Sequence, residues 1–263
     1  MAEARIGTSG WIYRHWRRGA FYPEGLRQKL EFQHYASLFD TVEINGSFYR
    51  TPGETSARQW RDQAPEAFLY AWKYPRWLTH FYRLRNPEES FRLVFGRMKP
   101  LGGNAGPVLF QLPPHMQRDP SRLAGALKLL PRGQRAAFEF RHPSWYAKDI
   151  LDLLQDHDAA LCISDHHHAP APWIRTASWV YVRGHGPGGT YHGSYGDHEL
   201  RKWARHVRTW RKSGADIFCY FDNDPEAAAP RDALRLKTML ARAPQTGLRR
   251  IHNMIAPELD DAS

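Results

Sequence analysis

Eight short apolar runs recur along this chain, and nearly every one of them ends in a charged or hydrogen-bonding residue. In order, they are Arg5–Trp11, Thr41–Tyr49, Phe68–Arg76, Gly106–Pro114, Ala136–Trp145, Ala159–Asp165, Trp179–Gly186 and Asp216–Asp224. Most of the intervals between the runs are long enough for a helix. Strands that alternate with helices in this way predict an α/β fold in which parallel strands close into a TIM-type (β/α)8 barrel.

The length of the chain, 263 residues, suits one such barrel, since a barrel of this type takes roughly 250 residues. We expect residues 1–244 to form a single domain and residues 245–263 to be a C-terminal extension with a disordered end. One unit of the barrel is irregular. The segment His166–Ser178, after the sixth strand, contains two prolines and no helical period, so we expect a loop or a single helical turn there.

The composition argues against a membrane protein and against secretion. The longest apolar runs have the length of strands, far below the roughly 20 residues that a membrane span needs. Met1–Ile6 carries charges and no apolar core of a signal peptide, so the cytoplasm is the expected location. Cys162 and Cys219 lie inside predicted strands, which predicts buried and unreactive thiols.

The formal net charge of the chain is +10. An excess of this size favours an anionic partner such as a nucleic acid, a nucleotide or a phosphorylated metabolite. The alternative is an ordinary basic surface, because many of the arginines are spread over the predicted helices.

Polar residues stand two apart at the ends of several predicted strands, and such residues share one face of a strand. The pairs are Glu43 and Asn45, Glu139 and Arg141, Arg183 and His185, and Asp222 and Asp224, while Lys73 and Gln111 hold similar places on their own strands. This spacing predicts a polar set that faces inward at the mouth of the barrel, where barrel enzymes carry their active sites. The alternative is a salt-bridge network that only closes the top of the barrel.

A glycine-rich stretch follows the seventh run and reads Arg183-Gly184-His185-Gly186-Pro187-Gly188-Gly189. Glycines let backbone N–H groups approach an anion closely. In many barrels the loops after strands seven and eight bind phosphate. The stretch therefore favours phosphate binding, with a flexible turn as the alternative.

The strand ends also carry a resemblance to a known family. The shared motifs are Gly7-Thr8-Ser9-Gly10-Trp11 with Trp16 and Phe21-Tyr22-Pro23, Val42-Glu43-Ile44-Asn45 with Phe48-Tyr49-Arg50, Lys73 with Pro75-Arg76 and Thr79-His80, Gln111-Leu112-Pro113-Pro114, Glu139-Phe140-Arg141-His142-Pro143-Ser144-Trp145, Tyr181-Val182-Arg183-Gly184-His185-Gly186, and Tyr220-Phe221 with Asn223-Asp224. Together they resemble the YecE-like family, the seventy-second family of domains of unknown function. The resemblance implies a TIM-type barrel and no settled activity. The chain departs from the family pattern at Asp222, where the family has Asn, and in the histidine run after Asp165.

The first functional hypothesis is an enzyme that acts on an anionic, phosphate-containing substrate at the barrel mouth. The cations that would hold the anion are Lys73, Arg76, Arg141 and Arg183, since a guanidinium can bind an anion through two parallel hydrogen bonds. Glu43 or Glu139 would be the general base, and His142 or His185 the acid or proton shuttle. The remaining expected substrate-binding residues are Trp11, Asn45, Tyr49, Gln111, Tyr220, Asn223 and Asp224. The sequence identifies no cofactor, and it does not separate a hydrolase from a lyase or an isomerase.

A second hypothesis is a metal-dependent hydrolase or isomerase on the same barrel. Its ligands would be Glu43, Glu139, Asp165, His166 and His185, with a metal-bound water as nucleophile. The sequence contains neither an HxxxH nor a CxxC spacing, and consecutive histidines point in different directions, so we assign no metal. Metal analysis of protein purified without a histidine tag tests this hypothesis.

A third hypothesis is a nucleic-acid-binding module without catalysis. Basic charge interleaved with aromatic residues can stack bases and neutralise phosphates. The candidate stacking residues are Trp11, Trp16, Trp77 and Trp145. Oligonucleotide affinity that falls steeply with ionic strength would support this hypothesis, and a flat salt response would count against it.

A retaining glycosidase is disfavoured by the expected positions of the glutamates. Such an enzyme needs two carboxyl groups roughly 5 Å apart. Glu43 and Glu139 come from the second and fifth predicted strands, which we expect to lie nearly opposite each other in the barrel.

Overall fold

Each of the eight predicted apolar runs gives rise to one strand. The structure, a computed structural model, describes residues 2–241. The strands are β1 (Ala4–Thr8), β2 (Thr41–Ile44), β3 (Leu69–Lys73), β4 (Ala105–Gln111), β5 (Ala136–Glu139), β6 (Ala160–Ser164), β7 (Val180–Gly184) and β8 (Ile217–Phe221). The predicted C-terminal extension at 245–263 lies outside the described residues.

The strands run parallel and follow one another around a nearly closed barrel. Their order in the sheet is β1-β8-β7-β6-β5-β4-β3-β2, and a parallel bridge between Ser9 and Glu43 joins the two ends. Gly7 makes this join close, because a Cβ atom at that position would lie 2.3 Å from the carbonyl oxygen of Thr41. The predicted α/β barrel of the TIM type is confirmed.

Helices cover the outside of the barrel. Within residues 2–241 they are α1 (Glu31–Leu38), α2 (Glu54–Gln63), α3 (Glu88–Met98), α4 (Pro120–Lys128), α5 (Lys148–Asp156), α6 (Asp197–Lys212) and α7 (Ala228–Ala241). The helical stripe in α6 packs on the core through Leu200, Trp203 and Val207. None of the described helices combines the length and the apolar composition that crossing a bilayer would require.

The unit between β6 and β7 has no helix in its connection, as the prolines of that segment predicted. The start of α3 has no side-chain cap. Asn86 adopts a left-handed conformation with φ of 44°, and Pro87 takes the N-cap position without a side-chain hydrogen bond.

Alternation along the strands separates two apolar layers. Side chains that point outward, such as Trp72, Phe110 and Phe138, belong to the large core beneath the helices. Side chains that point inward fill the barrel in a second cluster, which includes Ala71, Leu109, Cys162, Tyr181, Phe218 and Tyr220. Full burial of a large apolar side chain stabilises a fold by about 1.5–3 kcal/mol. Both cysteines are buried free thiols, as expected.

Candidate active site at the barrel mouth

Every strand contributes one polar side chain to a layer above the inner apolar cluster. Six of these residues follow a member of the inner cluster by two positions, as Lys73 follows Ala71 and Arg183 follows Tyr181, so strand alternation turns them inward as well. The members of this polar layer are Ser9, Glu43, Lys73, Gln111, Glu139, Ser164, Arg183 and Asp222, and all of them are buried. The carboxyl ends of the strands therefore bring together side chains from across the chain.

Arg183 is the centre of the polar layer and has no exposed surface. Its guanidinium lies 2.8 Å from Glu43, 2.9 Å from Glu139 and 2.7 Å from Asp222. It also donates to Ser9 Oγ at 2.9 Å. Burial acts to lower the pKa of Arg183, but the three carboxylates hold it well above the ordinary value. The guanidinium is charged, and its donors are occupied by protein atoms.

The two glutamates are as fully engaged as Arg183. Glu43 also accepts hydrogen bonds from Ser9 Oγ and from Tyr181 Oη, the latter at 2.6 Å. Glu139 pairs with Arg141 at 2.5 Å and accepts from Ser164 Oγ at 3.1 Å. Burial acts to raise the pKa of Glu139, yet the charges of Arg141 and Arg183 hold it well below the ordinary value. This arrangement disfavours a general-base role for either carboxylate, because proton uptake would break their ion pairs.

His185 is held in one protonation state by its neighbours. Its Nε2 lies 2.9 Å from Arg183 Nη1 and 3.2 Å from Arg141 Nη2. A guanidinium can only donate, so Nε2 accepts and the proton resides on Nδ1, 3.1 Å from Asp165 Oδ1. Burial, and after it the charge of Arg183, lower the pKa of His185 well below the ordinary value. The ring is neutral and acts as a fixed link between Asp165 and the arginines.

Lys73 differs from the other charged members of the polar layer because its ammonium has no hydrogen bond or ion pair within residues 2–241. The residue is only 6% exposed. Its ammonium lies over the face of Phe48, with Nζ 4.6 Å from the ring centre. Burial, and after it the charge of Arg183, lower the pKa of Lys73 to about 8. A nearly buried cation without a partner costs free energy. A negatively charged ligand would reduce that cost.

Three further polar groups of the mouth have unused hydrogen-bonding capacity. Gln111 Oε1 and Arg141 Nε are buried without a partner among the described residues. Asp222 bonds Arg183 through Oδ2 alone, and burial raises the pKa of Asp222 to about 6. Together with Lys73, these atoms offer a cation, donors, an acceptor and a titratable carboxyl to a ligand.

Three predicted site residues on or after the last strand lie outside the polar layer. Tyr220 points into the lower barrel, where its hydroxyl lies 2.7 Å from Thr41 Oγ1. Asn223 donates to Asp232 at 2.9 Å, and the Asp224 carbonyl accepts from the indole of Trp16 at 2.9 Å. These contacts hold the loops after β1, β7 and β8 to the barrel.

His142 and Arg76 also lie apart from the polar layer. The Nδ1 atom of His142 accepts a hydrogen bond from the Ser144 backbone at 3.2 Å and caps a short helical turn. Arg76 is exposed and lies over the rings of Tyr49 and Phe81, 5.4 and 5.6 Å from their centres. The Tyr49 ring is itself 70% exposed.

A cavity of about 1230 Å³ adjoins the mouth and is lined by the loops after β1 and β2 and by α2. Its lining includes three predicted substrate-binding residues, Trp11, Asn45 and Tyr49, and no member of the polar layer. The Asn45 Oδ1 atom is buried without a partner among the described residues. Ser47 connects the cavity wall to the mouth, because its hydroxyl donates to the carbonyl of Lys73 at 2.6 Å.

The glycines after β7 have local packing roles. The amide of Gly186 donates to Tyr195 Oη and the amide of Gly189 to the carbonyl of Gly186, both at 2.8 Å. A Cβ atom at Gly189 would lie 2.2 Å from the carbonyl of Asp165, so this glycine permits contact with the loop after β6. These two amides are used inside the protein, and close packing accounts for the glycine at position 189.

The ligand set of the metal hypothesis is engaged in other contacts. Glu43 and Glu139 surround Arg183, and His185 Nε2 accepts from that same guanidinium. Across residues 2–241, no three His, Cys, Asp or Glu side chains form a group that could hold a metal ion.

Glu43 and Glu139 come from β2 and β5, as predicted, and their side chains converge on one group. Both carboxylates reach the single guanidinium of Arg183, because long side chains on opposite strands meet at the axis of the barrel. Both are neutralised by ion pairs there, which argues against a nucleophile and acid pair for sugar chemistry.

The tryptophans of the nucleic-acid hypothesis are mostly core residues. Trp16 and Trp145 are fully buried, and Trp11 is 8% exposed. Trp145 donates its indole N–H to the carbonyl of Met116 at 2.7 Å. Bases could not stack on the faces of these buried rings without displacing the core.

Sequence reasoning omitted several residues of the mouth. Asp222 was seen as part of a pair, but only Asp224 was assigned to the site. The other omitted residues that contact the cluster are Ser9, Ser164, Tyr181 and Tyr191. The two-residue alternation from Cys162 and Tyr220 could have identified Ser164 and Asp222, whereas Tyr191 lies in a loop where no periodicity helps.

Comparison with known proteins agrees with this fold and with the family resemblance. The E. coli K12 protein UPF0759 YecE is 28% identical over 144 residues, which are 54% of this chain and 50% of that protein. The chain thus aligns with about half the length of that relative. The Bacillus subtilis protein UPF0759 YunF is 23% identical over 268 residues, 89% of this chain and 94% of that protein.

Two solved structures share the fold. A DUF72 family protein of Thermotoga maritima has a TM-score of 0.83 and 24% identity, covering 91% of this chain and all (100%) of that one. A DUF72 family protein of Enterococcus faecalis has a TM-score of 0.75 and 18% identity, covering 92% and 99%. The family model described as a protein of unknown function, DUF72, matches residues 5–255. This chain therefore belongs to the DUF72 family, and the resemblance to YecE-like proteins is confirmed.

Proposed function

We propose that this protein is an enzyme that acts on a small anionic substrate, bound at the mouth of the barrel beside Lys73. The observation that carries the proposal is that Lys73 is only 6% exposed while its ammonium has no hydrogen bond or ion pair among the described residues. A negatively charged ligand group would supply the missing partner and recover the energy that burial of the cation costs.

The neighbours of Lys73 suit such a ligand. Arg141 Nε is a buried donor without a partner on the described part of the chain, so a bound anion would also gain a hydrogen bond from this guanidinium. Gln111 Oε1, likewise without a partner there, would accept a hydrogen bond from a hydroxyl group of the substrate. Arg183 does not contact the anion in this proposal, because its donors are already occupied by three carboxylates. Its role is to hold the polar layer together.

Asp222 is the general acid–base group of the proposed enzyme. Burial raises the pKa of Asp222 to about 6, which lies near the pH at which a catalytic base works best. Its Oδ2 atom is anchored by Arg183 at 2.7 Å, and this single contact leaves the other oxygen for the substrate. This assignment replaces Glu43 and Glu139, whose oxygens are committed to arginine.

The cavity beside the mouth accommodates the rest of the substrate. Trp11 and Asn45 line it, and they offer an apolar surface and an unused amide oxygen. Its volume of about 1230 Å³ exceeds what a small anion needs, so the substrate extends beyond its charged group. The anionic group is a phosphate or a carboxylate, and the following experiment distinguishes between these two.

Thermal-shift and calorimetric titrations test the proposal with three probes at constant ionic strength: glycerol 3-phosphate, lactate and uncharged glycerol. We expect one of the anions to stabilise the protein and glycerol to leave it unchanged. In the Lys73→Met variant the anion affinity should fall about ten- to a hundredfold, since hydrogen bonds to charged groups contribute about 1.5–3 kcal/mol.

Lys128→Met is the matched control, because Lys128 is an exposed lysine at the end of α4. It should bind the same anion as tightly as the unaltered protein. The proposal fails if neither anion binds, or if Lys73→Met and Lys128→Met bind it equally well.

A further inference from the structure

We propose that Lys73 is a catalytic nucleophile that forms an imine with a carbonyl group of the substrate. This inference rests on the proposed function and narrows its substrate class to anionic aldehydes or ketones. It assigns Lys73 a covalent role in addition to charge recognition, and it follows from the position of the amine, its lack of partners and the groups around it.

The amine is placed as a nucleophile requires. Lys73 is the last residue of β3 and points to the same side as Ala71 of the inner cluster, so its side chain rises from the barrel floor to the mouth. The backbone is rigid there, because the Lys73 carbonyl accepts from Ser47 Oγ at 2.6 Å. Phe48 covers the amine from one side, with its ring centre 4.6 Å from Nζ. The described residues offer no hydrogen bond that would occupy the lone pair.

Charged and titratable groups on several elements surround this amine. They are Glu43 on β2, His80 after β3, Glu139 on β5, Arg183 on β7 and Asp222 after β8. The carboxylates favour the ammonium, while burial and Arg183 favour the neutral amine and prevail, lowering the pKa of Lys73 to about 8. A desolvated lysine beside a second cation is a known way to activate an amine at neutral pH.

The reaction balances with the groups present at the mouth. The Nζ lone pair forms a C–N bond to the carbonyl carbon, and the resulting carbinolamine expels its oxygen as water. That water takes one proton from the amine and one from the carboxylic acid form of Asp222, which becomes a carboxylate. The product is an iminium that withdraws electrons from the adjacent carbon–hydrogen or carbon–carbon bond, and the Asp222 carboxylate can then accept a proton from that carbon.

Reductive trapping tests the inference on the full chain. The protein is incubated at pH 7.5 with sodium cyanoborohydride and either glycolaldehyde phosphate or neutral glycolaldehyde, and labelled lysines are identified by peptide mass spectrometry. Hydride reduces the iminium to a stable secondary amine. We expect Lys73 to be labelled about tenfold faster than Lys128, since a lower pKa leaves more of its amine neutral. The rate should increase as the pH rises through 8, and it should be higher with the phosphate-bearing aldehyde.

The Lys73→Arg variant separates this inference from the proposed function. Arginine keeps the positive charge, so the variant should still bind the anion of the titrations above, but it cannot be trapped at position 73. Labelling of Lys73 no faster than that of Lys128 with both aldehydes overturns the inference, even where anion binding is intact. Loss of anion binding in the unaltered protein would instead overturn the proposed function.

Discussion

Arg183 shows how one residue can hold a whole site together. Its guanidinium lies within 2.9 Å of carboxylates from β2, from β5 and from the end of β8, so it joins strands that are distant in the chain. A buried ion pair adds little to stability relative to an apolar replacement of both partners. Removal of one partner is different, because it leaves the other charges buried and unpaired.

The variant Arg183→Met should therefore lower the free energy of unfolding by about 3–5 kcal/mol at pH 7. Urea denaturation followed by circular dichroism measures the change. Arg175→Met is the control, since Arg175 is exposed and its one hydrogen bond within residues 2–241 is to Ser213, and its effect should stay within about 0.5 kcal/mol. Equal stability of the two variants would mean that the three carboxylates do not depend on Arg183.

Lys73 should leave a signature in the pH dependence of stability. Its pKa in the folded protein is about 8, against an ordinary value of 10.5. Between these values the unfolded chain binds more protons at this position than the folded chain. The stability of the unaltered protein relative to Lys73→Met should therefore rise as the pH increases from 8 to 10.5, by up to about 3 kcal/mol.

Urea denaturation of the two proteins at a series of pH values from 7 to 10 tests this expectation. The comparison with Lys128→Met should be flat over the same range, because Lys128 is exposed. Parallel stability profiles for the unaltered protein and Lys73→Met would contradict an amine that is desolvated in the fold.

Among the elements, the join between β1 and β2 is the most demanding part of the barrel. Other neighbouring strands are paired over several residues, whereas β1 and β2 are joined by a single bridge between Ser9 and Glu43. The backbones approach closely at Gly7, where any Cβ would lie 2.3 Å from the Thr41 carbonyl oxygen. That oxygen belongs to the backbone of β2 and cannot rotate away.

Gly7→Ala should therefore destabilise the protein by more than about 2 kcal/mol, because one of the two strands must move. Gly125→Ala is a matched change in the exposed middle of α4, where a Cβ meets no atom within 4 Å. It should stabilise the protein by about 0.5–1 kcal/mol, since alanine loses less conformational entropy in a helix. Thermal unfolding of both variants provides the measurement, and a tolerated Gly7→Ala would refute a tight join.

The helices differ in how far their sequences reveal them. The stripe Leu200, Trp203 and Val207 marks α6 clearly, because the helix lies against the core along one face. The sequence of α2 shows no such stripe, and Ala57 is its one buried residue. A helix that covers a cavity wall instead of a core has no apolar period to detect.

For the molecule as a whole, the net charge of +10 indicates less about function than the positions of the individual charged side chains. Many arginines are paired at the surface, as Arg58 is with Glu54 and Arg118 with Asp149. The unpaired cation that bears on function, Lys73, is nearly hidden in the barrel. A solvent-exposed charge costs little, whereas a buried one without a partner needs a reason.

The periodic part of the chain was sufficient to predict the barrel, its eight strands and the face that carries the polar layer. Those features follow from local rules, since alternation along each strand decides which side chains turn inward. The membership of Glu43, Lys73, Gln111, Glu139, Arg141 and Arg183 in one cluster was predicted in the same way. The predicted site residues Tyr220 and Asn223 lie outside this cluster, because Tyr220 belongs to the apolar layer below it and Asn223 follows the end of β8 by two residues.

Contacts between residues that are far apart in the chain decide which members of that cluster are ion-paired and which are not. Three carboxylates neutralise Arg183, and two arginines keep His185 neutral, so the residues that look most catalytic in the sequence hold the site together. In the proposed function the chemistry falls to Lys73 and Asp222, because the described residues leave the Lys73 ammonium and the second carboxylate oxygen of Asp222 without hydrogen-bonding partners. Which charged groups find partners is a matter of three-dimensional distance and burial, and no pattern of sequence spacing contains that information.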